Sequence, residues 1–253
     1  MKVAFVFWGL TRSLKYTIDS INKNVFDVMR EHGVDYKIFL HTFTQESPIS
    51  NARSQERNFT IDPEEFKLLN PDHYAIDDQV EIRKQLDLVK YRTHRDYWNS
   101  NYQTVDNYIC AMYSKQRATK LMEESRIEFD CIVFLRPDVR FLHPIRMEWL
   151  TSVSNDHIQI PNFQLWPAEN PRMNDRFSIT NYENGIRIGN IFDVIYEYSK
   201  TKTIHSEQIL YEFVVNTLAI RIVYINFFFN RIRADGKEWA DTDWKRWRMI
   251  RGK

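Results

Sequence analysis

Cys131-Ile132-Val133-Phe134-Leu135-Arg136-Pro137-Asp138-Val139-Arg140 carries the sharpest structural signal in the chain. Five consecutive apolar residues read as a strand buried on both faces, the kind found in parallel sheets covered by helices. The strand runs directly into a cation, a proline and a carboxylate. In an open α/β sheet, ligands bind beyond the carboxyl ends of the strands. Arg136, Asp138 and Arg140 alternate along an extended run, so a pleated chain places all three on one side. A carboxylate at that point can hold a divalent cation or a ribose hydroxyl. It can equally form a structural Arg–Asp pair at a turn.

Outward from this strand, apolar patterns of two periods alternate. Val3 to Trp8 is a continuous apolar strand, and residues 16–32 follow a helical period that Gly33 ends. Tyr36 to Phe43 is a second strand. Residues 44–60 are polar and without period, which predicts a loop. Asp62-Pro63-Glu64-Glu65 looks like a helix start, with Asp62 as cap and Pro63 in the first position. His73 to Ile76 reads as a short third strand. Residues 79–91 and 103–125 are helical, the second long and mostly apolar on one face, with Lys115 and Gln116 interrupting that face. Ile158 and Ile160, then Phe177 to Thr180, suit strands. Residues 186–198 and 206–219 suit helices, and residues 220–229 read as a last strand. Alternating strands and helices over the first 140 residues imply βαβ units. The fold class is therefore α/β: a Rossmann-like, mostly parallel or mixed central sheet flanked by helices.

Composition narrows the function. The chain has 253 residues, with 35 Lys plus Arg against 34 Asp plus Glu, a net charge of +1. That balance gives no support for a nucleic-acid binder. Two cysteines, Cys110 and Cys131, make neither a disulfide framework nor a zinc site alone. Six glycines leave no phosphate loop of the GxGxxG or GxxxxGK[ST] type. The apolar start Val3 to Leu10 is short and is followed at once by Arg12, so it is read as a strand rather than a leader. No stretch reaches the roughly 18 apolar residues of a transmembrane helix. A soluble, cytoplasmic protein is the expectation. The tail from Lys245 to Lys253 carries five basic groups among tryptophans, which suits a solvated end, a flap over an anionic ligand, or peripheral membrane contact.

Three further positions carry chemistry. Gly9-Leu10-Thr11-Arg12 closes the first strand; glycine allows close backbone approach, and Arg12 can pair with phosphate. Asp175 stands in a polar stretch before a strand. Glu207 opens a helix, where an acid also complements the helix dipole behind a Ser206 cap. No GxSxG or HExxH motif is present.

An apolar strand ending in LRPDV, after an N-terminal strand ending in G-x-x-R, resembles the GT-A fold glycosyltransferases of polysaccharide and lipopolysaccharide assembly in bacteria and large DNA viruses. Four more pieces agree in order over about residues 1–225. They are Asn70 to Ile76, Met112-Tyr113-Ser114-Lys115-Gln116, Asn174-Asp175-Arg176-Phe177 and Ser206-Glu207-Gln208. The resemblance implies a single GT-A-like catalytic domain over 1–253, with a nucleotide-binding half (1–140), an acceptor-side half (141–235) and the basic aromatic tail (236–253). It implies a hexosyl- or pentosyltransferase that takes a UDP- or GDP-sugar and a glycan or other hydroxyl acceptor. Gly9, Thr11, Arg12, Gln116, Arg136, Asp138 and Arg140 then belong to the donor site. Asp138 takes the place of the second Asp of the D-x-D metal motif, so Mn2+ or Mg2+ is implied there. Arg136 replaces the first Asp of that motif, removing one acidic ligand and adding a cation. Asp175 is expected to accept the acceptor hydroxyl's proton, with Glu207 as second candidate. A catalytically degenerate nucleotide- or carbohydrate-binding module and a nucleotidyltransferase are the alternatives.

Overall fold

The computed structural model describes residues 1–46, 48–51, 56–165 and 173–239. Strand β1 (Lys2–Trp8) leads into α1 (Leu14–Ile21), which passes through a π-turn at Asn22–Phe26 into α2 (Asp27–Glu31). Gly33 then takes a φ of +61°, a conformation that costs glycine little, and so ends the helix. Strand β2 (Asp35–Thr44) is followed by a two-stranded hairpin, β3 (Ile49–Asn51) and β4 (Glu56–Phe59), and by a short 3-10 turn at Glu65–Leu69. Next come β5 (His73–Asp78), α3 (Gln79–Gln85) and the long α4 (Gln103–Glu124). The second half contains β6 (Cys131–Leu135), β7 (Val139–Phe141), α5 (Met147–Thr151), β8 (His157–Pro161) and β9 (Phe177–Thr180). It continues with α6 (Tyr182–Gly189), α7 (Phe192–Thr201), α8 (Ser206–Glu212), β10 (Arg221–Ile225), β11 (Phe229–Ile232) and β12 (Glu238–Trp239).

Seven strands form one sheet in the order β10-β8-β9-β6-β1-β2-β5. The pairs β6–β1, β1–β2, β2–β5 and β8–β10 are parallel, while β9 runs antiparallel to both its neighbours. The expected α/β class and mostly parallel sheet are therefore what the chain adopts. A second, three-stranded antiparallel sheet joins β7, β11 and β12.

Period-two alternation sends the two halves of β1 to opposite cores. Ala4, Val6 and Trp8 face the layer of α4, α6, α7 and α8, with Ile109, Ile188, Ile195 and Ile209. Val3, Phe5 and Phe7 face α1, α2 and α5, with Leu14, Met29 and Leu150, and with the aromatic cluster of Phe141, Phe177, Phe227 and Phe229. Phe5, Phe7 and Phe134 are fully buried; each such burial contributes roughly 1.5–3 kcal/mol. Both cysteines are buried and unpaired. Among the described residues no helix is long and apolar enough to cross a membrane.

Several expectations change in detail. The helix expected over 79–91 stops as α3 at Gln85; Asp87 takes a φ of +47° and a 3-10 turn follows at Leu88–Tyr91. The helix expected over 206–219 passes from α8 into a π-turn at Phe213–Thr217. Residues 44–60 hold the β3–β4 hairpin as well as loop. The helix expected from Asp62 is a 3-10 turn over Glu65–Leu69 whose N-cap is Glu64, not Asp62; Asp62 Oδ1 accepts the Glu64 N–H at 2.9 Å just ahead of it. The expected helix 186–198 divides at Asn190, whose amide donates to the Ile186 carbonyl at 3.0 Å and ends α6. Gly189 sits at this break because a methyl group there would stand 2.8 Å from Thr119 Cβ of α4. The expected strand 220–229 divides too: Phe227 and Phe229 leave the large sheet for the aromatic cluster, and β11 pairs with β7 instead. The basic aromatic tail, Lys245 to Lys253 with Trp244 and Trp247, lies outside the described residues.

Candidate functional site

A cavity of about 840 Å³ opens at the carboxyl ends of β1, β2, β5 and β6. Trp8 and Gly9 end β1, Phe43 and Gln45 lie at the end of β2, Gln79 follows β5, and Arg136 follows β6. Because β9 is antiparallel, the residues before it, Asp175 and Arg176, reach the same edge. The start of α8 brings Ser206 and Glu207, and β11 with its following turn brings Arg231 and Arg233. Among the described residues the walls carry Arg12, Arg83, Lys84, Arg136, Arg176, Arg231 and Arg233 against Asp175 and Glu207. A chain of net charge +1 has thus gathered a strongly positive cavity, which favours an anionic ligand.

Gly9 shapes the floor. Its φ is +91°, strained for any residue with a side chain, and its N–H donates to Ser114 Oγ of α4 at 2.8 Å. Ser114 Oγ also lies 2.7 Å from His41 Nδ1, and His41 Nε2 lies 3.0 Å from Asp77 Oδ2. These are the residue types of a hydrolytic triad, but Ser114 and His41 are wholly buried. They fasten α4, β2 and β5 beneath the strand end. Burial pushes His41 down to about 4, against the opposing pull of Asp77. The ring is therefore neutral, with Nε2–H donating to Asp77, while the Ser114 hydroxyl donates to the His41 carbonyl at 3.0 Å and lies against Nδ1. Thr11 packs beside Thr42, 3.5 Å between hydroxyls, and does not line the cavity.

Four guanidiniums stand on one wall: Arg12, Arg136, Arg231 and Arg233. Two buried carboxylates, Glu56 and Asp138, are placed behind them and outside the lining. Arg136 Nε and Nη2 bind Asp138 Oδ1 and Oδ2 at 3.0 and 2.8 Å, a two-pronged pair. Arg12 lies 3.2 Å from Glu56 and over the Phe59 ring of the hairpin. Burial would raise the Asp138 carboxyl, but Arg136, Arg12 and Arg233 outweigh it and hold it at about 2. Burial and the like charge of Arg231 lower the Arg233 guanidinium to about 10, so it stays charged at neutral pH.

A divalent cation does not fit at Asp138. Such ions take several oxygens, and both Asp138 oxygens are engaged by Arg136, with two further arginines nearby. Among the described residues no three His, Cys, Asp or Glu side chains gather as a metal site needs.

Asp175 and Glu207 stand together in the same cavity. Arg176 Nη1 lies 3.2 Å from Asp175 Oδ1 and 4.0 Å from Glu207 Oε1. Ser206 donates to Glu207 Oε2, and His205 Nδ1 is 3.3 Å from the same oxygen. Burial would raise Asp175, but Arg176 and Arg136 prevail and keep it below the ordinary carboxylate range. Burial, and then the charge of Asp175, push Glu207 up. Two neighbouring carboxyls are thus driven apart, the pattern by which a site assigns unlike roles to like groups. Two buried polar atoms near them, Trp8 Nε1 and Tyr108 Oη, lack hydrogen bonds, and Asp175 Oδ1 has the Arg176 ion pair in place of one. All three residues line the cavity, and buried polar atoms left open at a cavity wall suit a ligand rich in hydroxyls.

The other sequence candidates lie elsewhere. Gln116 turns away from the cavity and donates to Asp193 of α7 at 2.8 Å. Arg140 reaches toward Glu238 and the Tyr16 carbonyl, each at 3.4 Å. The turn at Pro137 and Asp138 interrupts the pleat that would have kept Arg140 beside Arg136. Lys115 lies behind the lining, its Nζ 4.2 Å from the Phe134 ring centroid and 5.2 Å from that of Trp8; burial lowers it to about 7. Glu56, Arg231 and Arg233 were not among the candidates.

Comparison with known proteins gives a distant likeness. No family model matches the chain, and no curated protein does. Among solved structures it is similar to the apo form of mouse xyloside xylosyltransferase 1, at 10% identity and a TM-score of 0.47, over 89% of this chain and 85% of that one. It is also similar to the galactosyltransferase LgtC in complex with donor and acceptor sugar analogues, at 10% identity and a TM-score of 0.46, over 84% of this chain and 69% of that one.

Proposed function

We propose that the chain is a glycosyltransferase that moves a sugar from a nucleoside diphosphate to a hydroxyl acceptor. One observation carries this reading: a strongly cationic cavity at the strand ends holds two neighbouring carboxyls, Asp175 and Glu207, with Arg176 3.2 and 4.0 Å from them. The cations suit a diphosphate. The carboxyls suit an oxocarbenium-like transition state and an acceptor proton.

The roles follow from the electrostatics. In the transfer, the C1–O bond to the diphosphate breaks and its electron pair leaves with the phosphate. The new C1–O bond forms to the acceptor oxygen, whose proton must go to a base. Glu207, held up by burial, is the better proton acceptor of the two. Asp175, held down by Arg176 and Arg136, stays anionic and faces the positive charge at C1. This exchanges the order expected from sequence, where Asp175 stood first. UDP- and GDP-sugars are the first donors to test.

The experiment is nucleoside diphosphate release from a panel of UDP- and GDP-sugars, with and without a glycan acceptor. Glu207→Gln and Asp175→Asn should each cut turnover about 10²-fold or more, with donor affinity kept. Donor binding without release by the wild type would make the chain a binding module. Wild-type turnover in both variants would remove the carboxyls from the chemistry.

A further inference from the structure

We infer that the diphosphate is held by arginine alone, with Arg12, Arg136, Arg231 and Arg233 in the place of a divalent cation, so that nucleotide binding needs no metal. This rests on the transferase reading and specifies how its donor is gripped. It also departs from the metal that the D-x-D resemblance implied at Asp138.

The wall is built in two layers. The four guanidiniums line the cavity, and Asp138 and Glu56 sit buried behind them. Asp138 takes two prongs of Arg136 at 3.0 and 2.8 Å, and this leaves the remaining Nη1 donors of that guanidinium for a ligand. Glu56 lies 3.2 Å from Arg12 and also accepts the Ala234 N–H at 2.9 Å, tying down the chain next to Arg233. The two acids therefore act as positioning residues that aim cations into the cavity. A metal at Asp138 would have to break a two-pronged pair and settle among like charges. Arginine forks match phosphate oxygens directly.

Calorimetric titration of UDP, GDP, ADP and dTDP in EDTA, and again with Mn2+ or Mg2+, tests this. The same dissociation constant, within about threefold, is expected with and without metal. Arg136→Met should weaken metal-free binding about tenfold or more, the loss typical of a charged hydrogen bond. Asp138→Asn should weaken it several-fold and to the same extent in EDTA and with Mn2+, because Arg136 loses its two-pronged anchor; a metal ligand would lose only the metal-dependent part of the binding. Thermal melts of both variants establish that they fold. Binding seen only with metal would overturn the inference while leaving the transferase reading in place. No binding of any nucleoside diphosphate under either condition would overturn both.

Discussion

Glu207 and Asp175 share a cavity wall and one arginine, yet their environments oppose each other. At Glu207 burial and the neighbouring charge of Asp175 outweigh Arg176 and the Ser206 hydroxyl, so the carboxyl is pushed up. Asp175 has Arg176 and Arg136, and they win over burial. If Glu207 is the base, turnover rises as pH rises through its raised value, because only the ionised form accepts a proton. The acid limb of the pH–rate profile should therefore lie above the ordinary glutamate range, and Glu207→Gln should erase it. An unmoved limb in that variant would assign the titration to another group. At this scale the sequence was informative where a residue's place follows from a strand end. Gly9, Arg12, Arg136, Asp175 and Glu207 all line the cavity. It was less so where one turn decides direction. Asp138 marks the right place but faces its own neighbour, and Arg140 lies beyond the break in the pleat.

Elements explain both the rigidity of the floor and the residues that were missed. Ser114 of α4, His41 of β2 and Asp77 of β5 bind one another where three elements meet under Gly9. The His41 ring sits at about 4 in the fold against an ordinary 6.5. The folded state thus binds fewer protons than the unfolded chain between these values, and stability falls as pH drops from 6.5 toward 4. The loss from this group is about 3 kcal/mol. Denaturant unfolding at pH 7 and pH 4.5 should show it in the wild type and show much less in His41→Gln; equal pH dependence in both would contradict the network. Glu56, Arg231 and Arg233 escaped notice because their elements lacked a readable period. The hairpin of β3 and β4 is short and polar. The apolar run 220–229 looked like one strand ending before Arg231, although the aromatic cluster pulls its second half onto β7. Only tertiary packing decides such a division.

At the scale of the molecule, the layer order was legible because the strongest strands are buried on both faces, which demands helices above and below. The antiparallel β9 was not, yet it matters most for function: reversing that strand turns Asp175 and Arg176 toward the carboxyl ends of its neighbours. Charge shows the same dependence on folding. Composition is balanced, and among the described residues the fold concentrates seven cations against two acids around one cavity. The central claim is that this cavity is a nucleoside diphosphate site. The most direct measurement is the melting temperature with UDP or GDP at about 100 times the dissociation constant, in the wild type and in Arg136→Met. Such a ligand adds roughly 2.7 kcal/mol, which for a chain of this size is a rise of about 5–10 °C. The account predicts that rise with at least one nucleotide and a smaller one in Arg136→Met at the same concentration. No rise with either nucleotide, or an equal rise in the variant, would contradict it.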